Sequence, residues 1–314
     1  MNALTKYLSG LLLVLSVCPA LHAETWPQGP VTLIVPWPPG DLEDILTHLI
    51  AEEITRETGQ PASVRNVPGD SGVTGAAEVA AAPGDGLMIG SLANHLLTTK
   101  VMGGDVPWNF RTFTPVGIFL DYPFVIAARA DAPYNSLKEL AAYSQANPVV
   151  LGHFGKGITP TAMTFKAADD FGIHISADQA YDATDCALLQ DKKADIINTT
   201  TQLILPCLQS GEVKLLVSFT SRRVSVAPQT PTLEELTGIK LTIWNGLFVP
   251  RETPAMTKVA IARIARKALD SDKVRELARE TGAIIYWDDA LRAKNRIADE
   301  IEESRSLLSY LNDQ

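Results

Sequence analysis

Six segments of the sequence carry residue types suited to holding a small polar solute. They are rich in glycine, which lets backbone N–H groups turn toward a ligand, and in serine and threonine, whose hydroxyl groups donate and accept hydrogen bonds. Ordinary turns contain the same residues, so one such segment alone indicates little. Six of them in one chain favour a polar cleft for a small molecule. They lie at 36–44 (the first loop), 68–75 (the second loop), 91–95, 152–161 (the fourth loop), 181–184 and 198–201.

These segments follow predicted strands, and ligands of open α/β sheets bind at the carboxyl ends of strands, where helix N-termini present free N–H groups. We expect no catalytic residue, no metal and no cofactor in the resulting site. The candidate ligand-binding residues are Trp37, Pro38, Pro39, Gly40, Asp41, Leu42, Glu43, Asp44, Asn94, Gly155, Lys156, Thr159, Thr161, Tyr181, Asp182, Ala183, Thr199 and Thr200.

A catalytic alternative rests on Ser71. The run Gly69-Asp70-Ser71-Gly72 is similar to the nucleophile stretch of trypsin-like proteases, which would make the chain a secreted hydrolase. Those enzymes are all-β barrels, whereas this sequence alternates strands with helices. The signatures HExxH, GxSxG, CxxC and the P-loop do not occur in the sequence. We therefore expect a binding protein rather than an enzyme.

Composition and charge exclude several classes of protein. Of 314 residues, 46% are apolar and 20% are charged, which is usual for a globular protein. There are 27 Lys and Arg against 36 Asp and Glu, so the formal net charge is −9. An acidic chain argues against nucleic-acid binding, which needs clustered Lys and Arg. After the N-terminus, no apolar run is long enough to span a membrane.

The first 23 residues have the pattern of a secretory signal peptide. Lys6 provides a short basic region, an apolar stretch follows at 8–17, and small residues precede a cleavage site after about Ala23. In an oxidising compartment, Cys186 and Cys207 would form a disulfide that closes a loop of about 20 residues and contributes about 3 kcal/mol to stability. Two buried free thiols are the alternative.

The chain alternates β-rich runs with amphipathic helical stretches. Strands are predicted at 31–35, 63–67, 87–91, 149–152, 194–198, 215–219 and 283–287. A helix is predicted after the first strand, with Gly59 at its end, and a long last helix at about 288–311. Strands that alternate with helices indicate βαβ units and a mostly parallel sheet.

Several motifs resemble those of one receptor family. The run from Val31 to Gly40, with Asp44-Ile45-Leu46 after it, resembles the opening of the substrate-binding receptors of tripartite tricarboxylate transporters, also called the Bug family. The resemblance extends over about 26–310. Further matching positions are Asn66, Pro68, Gly69, Gly72, Gly75, Ala76, Asp85, Gly86, Trp244, Gly246, Leu247, Thr253 and Pro254.

The resemblance implies a type 2 periplasmic-binding-protein fold, with two α/β domains and a ligand cleft between them. Crossovers near Asp121 and Asn245 would join domain one (24–121 plus 247–314) to domain two (122–246). It also implies a monomeric periplasmic receptor that captures a small solute, commonly a carboxylate, by domain closure. The receptor would deliver the solute to membrane transporter subunits. An orphan receptor that signals to a membrane sensor kinase is the open alternative.

The sequence departs from the family pattern in its predicted ligand loops. Asp41, Leu42 and Glu43 stand where the family usually has two further glycines and a small polar residue, and Asp70, Lys156 and Thr199 are also atypical. Each of two carboxylates would repel a carboxylate ligand by about 4 kcal/mol at 4 Å and an effective dielectric of 20. Either the ligand carries a cationic or neutral polar group that meets Asp41 or Glu43, or both acids sit on the outer rim and stabilise the following helix through its dipole.

Four aromatic residues lie in or beside the predicted ligand loops. Trp37 and Trp244 either stack on the ligand or belong to the core. Tyr181 occupies a strand-end loop, where its hydroxyl group could reach the ligand. His95 is expected to be a structural histidine rather than a ligand contact.

Overall fold

The computed structural model describes residues 26–156, 158–239 and 241–312. The predicted signal peptide at 1–23 lies outside these residues. None of the described helices is long and apolar enough to cross a bilayer.

Eleven strands of the described chain form two sheets. The first sheet contains β1 (Val31–Val35), β2 (Ala62–Asn66), β3 (Met88–Ala93), β4 (Phe113–Asp121), β10 (Trp244–Pro250) and β11 (Ile284–Asp289), in the order β11-β4-β10-β3-β1-β2. The second sheet contains β5 (Phe124–Arg129), β6 (Val150–His153), β7 (Ala177–Ala180), β8 (Ile196–Thr200) and β9 (Val213–Ser218), in the order β7-β6-β8-β5-β9.

Helices connect the strands and cover the sheets. They are α1 (Leu42–Thr58), α2 (Val73–Ala80), α3 (Thr99–Gly103), α4 (Leu137–Ser144), α5 (Thr159–Phe171), α6 (Cys186–Gln190), α7 (Leu205–Gln209), α8 (Leu233–Thr237), α9 (Ala255–Leu269), α10 (Asp272–Thr281) and α11 (Ala290–Asn312). The predicted end of α1 is confirmed, because Gly59 adopts a left-handed φ of 72° and donates its N–H to Thr55 O.

Each strand predicted from the sequence is present, with ends that differ by at most two residues. The prediction of mostly parallel sheets is wrong, since both sheets are mixed. β1 pairs in parallel with β2 and β3, and β6 pairs in parallel with β7 and β8. All the antiparallel pairs include β4, β5 or β10, which the sequence reading missed. β4 leads directly into β5 at the first crossover with no helix between them, so no βαβ rhythm marks this pair.

The chain passes between the sheets at two adjacent crossovers. It leaves the first sheet after Asp121, enters the second at Phe124, and returns to the first at Trp244. The backbone N–H of Tyr122 donates to Ile243 O at 2.8 Å, so the two crossovers are hydrogen-bonded to each other. The positions agree with the crossovers expected near Asp121 and Asn245, and the assignment of domains at 24–121 plus 247–314 and at 122–246 stays a prediction.

Arg296 of α11 links both crossovers. Its Nη2 donates to Asp121 Oδ1 at 2.9 Å and to Thr242 Oγ1 at 2.7 Å, and its Nε donates to Glu300 Oε1 at 3.0 Å. Asp121 and Glu300 are both buried. The indole N–H of Trp244 also donates to Glu300, at 2.6 Å from Oε2. Trp244 is fully buried and is therefore a core residue rather than a stacking surface for the ligand.

Candidate functional site

A cavity of about 510 Å³ is lined by loops of both sheets and by both crossovers. The first sheet contributes the first and second loops with Ala93 and His95. Tyr122 and Ile243 come from the crossovers, and Phe124, Phe154, Ile158 and Pro160 belong to the second sheet and its connections. The predicted binding residues that line the cavity are Trp37, Pro38, Asp41, Glu43, Tyr181, Asp182 and Thr200.

Asp44 holds the first loop in place. Its Oδ2 accepts a hydrogen bond from Gly40 N at 2.9 Å, and its Oδ1 accepts one from Asn66 Nδ2 at 2.8 Å. Asn66 Nδ2 also donates to Trp37 O at 3.1 Å. Gly40 has a φ of 104°, a conformation that side chains other than glycine rarely adopt. Asp44 therefore positions the predicted ligand loop and does not itself line the cavity.

Glu43 is a buried acid at the cavity wall. Only 1% of its surface is exposed, so the alternative that places it on the outer rim is wrong. Its Oε2 accepts a hydrogen bond from the hydroxyl group of Tyr122, whereas its Oε1 has no partner among the described residues. Burial raises the pKa of Glu43 well above its usual value, and the neighbouring charge of Asp41 adds to the effect.

Asp41 lies at the N-cap of α1 and also lines the cavity. Its side chain makes no capping hydrogen bond to the helix backbone. Burial and the charge of Asp44 raise the pKa of Asp41 from 3.8 to about 6. Two acids with raised pKa values therefore lie two residues apart along the wall, where the binding of a ligand can change their protonation.

This pKa shift predicts a stabilising substitution, Asp41→Asn. Because folding raises the pKa of Asp41 to about 6, the ionised form destabilises the native state at pH values above 6. We expect Asp41→Asn to raise the free energy of unfolding by about 2 kcal/mol at pH 8, a figure reduced for partial exposure of the side chain. The gain should fall as the pH drops through 6 and vanish below 3.8.

Urea unfolding of Asp41→Asn at pH 8 and at pH 3.5 measures this difference. Asp105→Asn serves as the control, because Asp105 is exposed. A gain that is equal at both pH values would contradict the assigned cause.

The second loop lies against His95 and Trp37. Asp70 and Ser71 both have a left-handed φ, of 46° and 51°. His95 Nε2 donates to Ser71 O at 2.9 Å, and the His95 ring lies 5.7 Å from that of Trp37. Burial lowers the pKa of His95 to about 4, so its ring is neutral at pH 7. His95 thus has the expected structural contact and is also part of the cavity wall.

Gly75 allows the first two loops to approach each other closely. A Cβ atom at this position would lie 2.9 Å from both Pro36 Cβ and the main-chain oxygen of Val67. Gly75→Ala is expected to destabilise the fold by about 2 kcal/mol, because the backbone contact cannot relax. Gly29→Ala is the control, since its nearest contact would be 3.7 Å. Equal melting temperatures for the two variants would contradict the prediction.

The side chain of Lys156, in the fourth loop, does not line the cavity and contacts neighbouring residues of the second sheet and its helix instead. Its Nζ lies 3.0 Å from Asp178 Oδ2 and 5.4 Å from the centre of the Phe165 ring. Asp178 also contacts His153 Nε2 at 3.0 Å. Gly155, next to Lys156, donates its N–H to His153 Nδ1 at 2.8 Å. The fourth loop therefore brings Phe154, rather than Lys156, to the cavity wall.

The remaining predicted residues lie behind the wall or beside it. Leu42 is buried in the hydrophobic core. Asn94 Nδ2 donates to Thr242 O at 2.9 Å, and Thr199 Oγ1 donates to Thr184 O. Thr159 and Thr161 are buried and their hydroxyl groups lack partners in the described chain. The residues that do not line the cavity are Pro39, Gly40, Leu42, Asp44, Asn94, Gly155, Lys156, Thr159, Thr161, Ala183 and Thr199.

Sequence reasoning left several wall residues out of the predicted site. Tyr122, Phe124 and Ile243 belong to the crossovers or follow them directly, and their apolar types indicate a core. One signal could have identified them: the crossovers are expected near positions 121 and 245, and residues beside the crossovers of a two-domain receptor lie at its cleft. The sequence indicates a ligand loop at 68–75, but its wall residues 68–72 are not in the predicted set.

Comparison with known proteins identifies the chain's relatives. The family model for tripartite tricarboxylate transporter family receptors matches residues 46–312. The chain belongs to this family. The resemblance found in the first loop and the later motifs is thereby confirmed.

Individual members of the receptor family are similar along almost the whole chain. BugT of Bordetella pertussis is 26% identical over 292 residues, which cover 90% of this chain and 89% of BugT. The structure of MatC from Rhodopseudomonas palustris with bound malate has a TM-score of 0.78 and 26% identity, and the match covers 90% of this chain and 99% of MatC. The periplasmic binding protein BugD has a TM-score of 0.79 and 25% identity, with 91% and 98% covered. The fold is that of the two-domain periplasmic binding proteins.

The receptor family consists of solute-binding proteins, and Ser71 lies in the second loop of the cavity. His95 Nε2 contacts the main-chain oxygen of Ser71, and burial lowers the pKa of His95. A nucleophilic serine needs a base that reaches its hydroxyl group. The position of Ser71 is explained by its place in the second loop of the cavity.

Proposed function

We propose that this chain is a solute-binding receptor that captures a small polar metabolite in the cavity and delivers it to a tripartite tricarboxylate-type transporter. The observation that carries the proposal is the cavity itself, whose wall comes from the loops of both sheets and from both crossovers. The metabolite is a carboxylate or a compound with an amine or amide group. MatC, a family member with bound malate, supports capture of a small solute.

Capture would proceed by closure of two domains. Domain one comprises residues 24–121 and 247–314, and domain two comprises residues 122–246. Rotation about the crossovers would bring the two sheets together, and a ligand that contacts both would favour the closed state. A hydrogen bond from Gln202 Nε2 to Gly40 O, 3.2 Å long, already joins the segment after β8 to the first loop. Contacts of this type can hold the cleft shut around a ligand.

The receptor would act as a monomer in the periplasm after removal of its signal peptide at about Ala23. Mass spectrometry of the protein secreted from its native host would give the mature N-terminus. Deletion of its gene should abolish uptake of the ligand by intact cells. If uptake persists while a transcriptional response to the ligand is lost, the receptor signals to a sensor instead.

Small-angle X-ray scattering tests closure directly. Compounds are first screened by thermal shift, using amines, amino acids, amides and dicarboxylates. The radius of gyration is then measured with and without each compound that raises the melting temperature. We expect a smaller radius at saturation. Unchanged dimensions with a saturating ligand would contradict domain closure, and a compound that is chemically converted would contradict a pure binding role.

A further inference from the structure

We propose that the ligand is an organic cation whose ammonium or guanidinium group is bound by the carboxylates of Asp41 and Glu43 and by the aromatic wall of the cavity. This inference rests on the receptor function proposed above and specifies its ligand class. The proposed ligand class differs from the dicarboxylate bound to MatC, and the charges of the cavity in this chain are the reason.

The cavity wall carries more acids than cations, because within the part of the chain that the structure describes only Asp70 is paired with a lysine, Lys100, whose Nζ lies 3.7 Å from its Oδ1 and which does not itself line the cavity. Its carboxyl groups belong to Asp41, Glu43, Asp70 and Asp182, and none of its lining residues in the described chain is Lys or Arg. The one imidazole, that of His95, is neutral at pH 7 because burial lowers its pKa to about 4. Each carboxylate of an anionic ligand would be repelled by about 4 kcal/mol by an acid 4 Å away at an effective dielectric of 20.

The unpaired oxygen of Glu43 indicates where a cation would bind. Glu43 is 1% exposed, and its Oε2 already accepts a hydrogen bond from Tyr122, while Oε1 has no partner among the residues described. An ionised carboxylate buried without its full set of partners is strongly disfavoured. An ammonium or guanidinium N–H group supplies the missing hydrogen bond and the opposite charge together.

Aromatic side chains on both sides of the cavity are suited to the same group. Trp37 lies in the first loop, and Tyr181 follows β7 of the second sheet. In the same wall, the rings of Tyr122 and Phe124 lie 5.8 Å apart and those of Phe124 and Phe154 lie 5.9 Å apart, so three aromatic rings follow one another. The faces of aromatic rings attract cations, including alkylated ammonium groups that have few N–H donors.

A second chemistry is possible at Glu43, and pH distinguishes it from cation binding. A protonated Glu43 could donate a hydrogen bond to a carboxylate ligand. The groups that face Glu43 are Asp41 and Asp44 from its own loop and helix, and Tyr122 from the crossover. Elsewhere in the wall lie Asp70 and His95 from the first sheet, with Lys100 beside Asp70, and Tyr181 and Asp182 from the second sheet. A cation favours the ionised acids, so its affinity should increase from pH 5 to pH 8 with release of protons. A carboxylate bound to protonated Glu43 would show the opposite trend.

The test uses three compounds of similar length and different charge. Binding of 1,4-diaminobutane, 4-aminobutanoate and butanedioate to the mature protein is measured by titration calorimetry at pH 5, 6.5 and 8. A panel of larger alkylammonium and guanidino compounds and dicarboxylates is measured in parallel. We expect binding of cations, with at least tenfold tighter affinity at pH 8 than at pH 5. The proposal is overturned if only anions bind, if affinity falls with pH, or if no cation of the panel binds.

Glu43→Gln provides the decisive variant, because glutamine keeps the shape and one hydrogen-bond-accepting oxygen but loses the charge. It should weaken binding of the cation about 10- to 100-fold. Glu52→Gln, an exposed acid on the same helix, is the matched control and should leave affinity unchanged. Unchanged or tighter binding by Glu43→Gln would overturn the proposal. If an anion binds and the protein compacts, the receptor function stands and only the proposed cationic ligand class is wrong. If no compound binds and none causes compaction, both proposals are wrong.

Discussion

Replacing Arg296 with Met should lower the free energy of unfolding by about 3–5 kcal/mol. The side chain of Arg296 is 23% exposed and contacts the carboxylates of Asp121 and Glu300, which are 7% and 9% exposed. Removal of one partner from a buried ionic network leaves the remaining charges without compensation. Urea unfolding followed by circular dichroism measures the loss at pH 8 and pH 5.

The loss should be larger at pH 8 than at pH 5. Burial raises the pKa of Glu300, and the guanidinium group of Arg296 opposes this effect. Without Arg296, Glu300 takes up a proton more readily, and at pH 5 protonation removes part of the unpaired charge. Arg292→Met is the control, because Arg292 lies on the same helix and is exposed. A loss below about 1 kcal/mol for Arg296→Met would show that the network adds little to stability.

Replacing both cysteines with Ser should lower the free energy of unfolding by about 3 kcal/mol. The structure contains a disulfide between Cys186 and Cys207, which are separated by 21 positions. A cross-link of this loop length restricts the unfolded chain by about that amount in the chain-entropy model. The measurement is the unfolding midpoint of the oxidised protein, of the same protein with a reductant, and of Cys186→Ser/Cys207→Ser.

The reductant should lower the midpoint of the natural sequence to that of the double variant and leave the double variant unchanged. The same midpoint with and without reductant in the natural sequence would contradict the prediction. The bond also bears on the cavity, because α6 begins at Cys186, four residues after Asp182 in the wall. Weaker ligand affinity in the reduced protein would indicate that the disulfide positions this part of the wall.

The fold could be predicted in the parts where helices separate strands. Val31–Val35 is an almost unbroken apolar run, and the helix after it has a regular apolar face and a glycine stop, so β1 and α1 were found with nearly correct ends. β4 and β10 were missed because they lead directly into or out of a crossover. Their antiparallel pairing depends on contacts between positions more than 120 residues apart, which local patterns do not encode.

The site could be predicted as a set of loops but not as a set of contacts. The first loop, Tyr181, Asp182 and Thr200 were placed in the wall by strand-end reasoning. The direction of a side chain is decided by its neighbours. Lys156 turns to Asp178, and Asp44 accepts hydrogen bonds from Gly40 and Asn66. Both interactions join segments that only the folded chain brings together.

The exposure of Trp37 gives the protein a built-in optical reporter. Trp244 and Trp108 are buried in the first sheet's core, Trp26 and Trp287 are half-buried against the main hydrophobic core, and Trp37 is half-buried in the wall beside His95. Indole emission responds to solvent and to nearby quenchers, so occupancy of the cleft should be visible in fluorescence without any attached dye. Real-time capture kinetics can therefore be followed on the unlabelled native sequence, with Trp37→Phe identifying the part of the signal that arises at the wall.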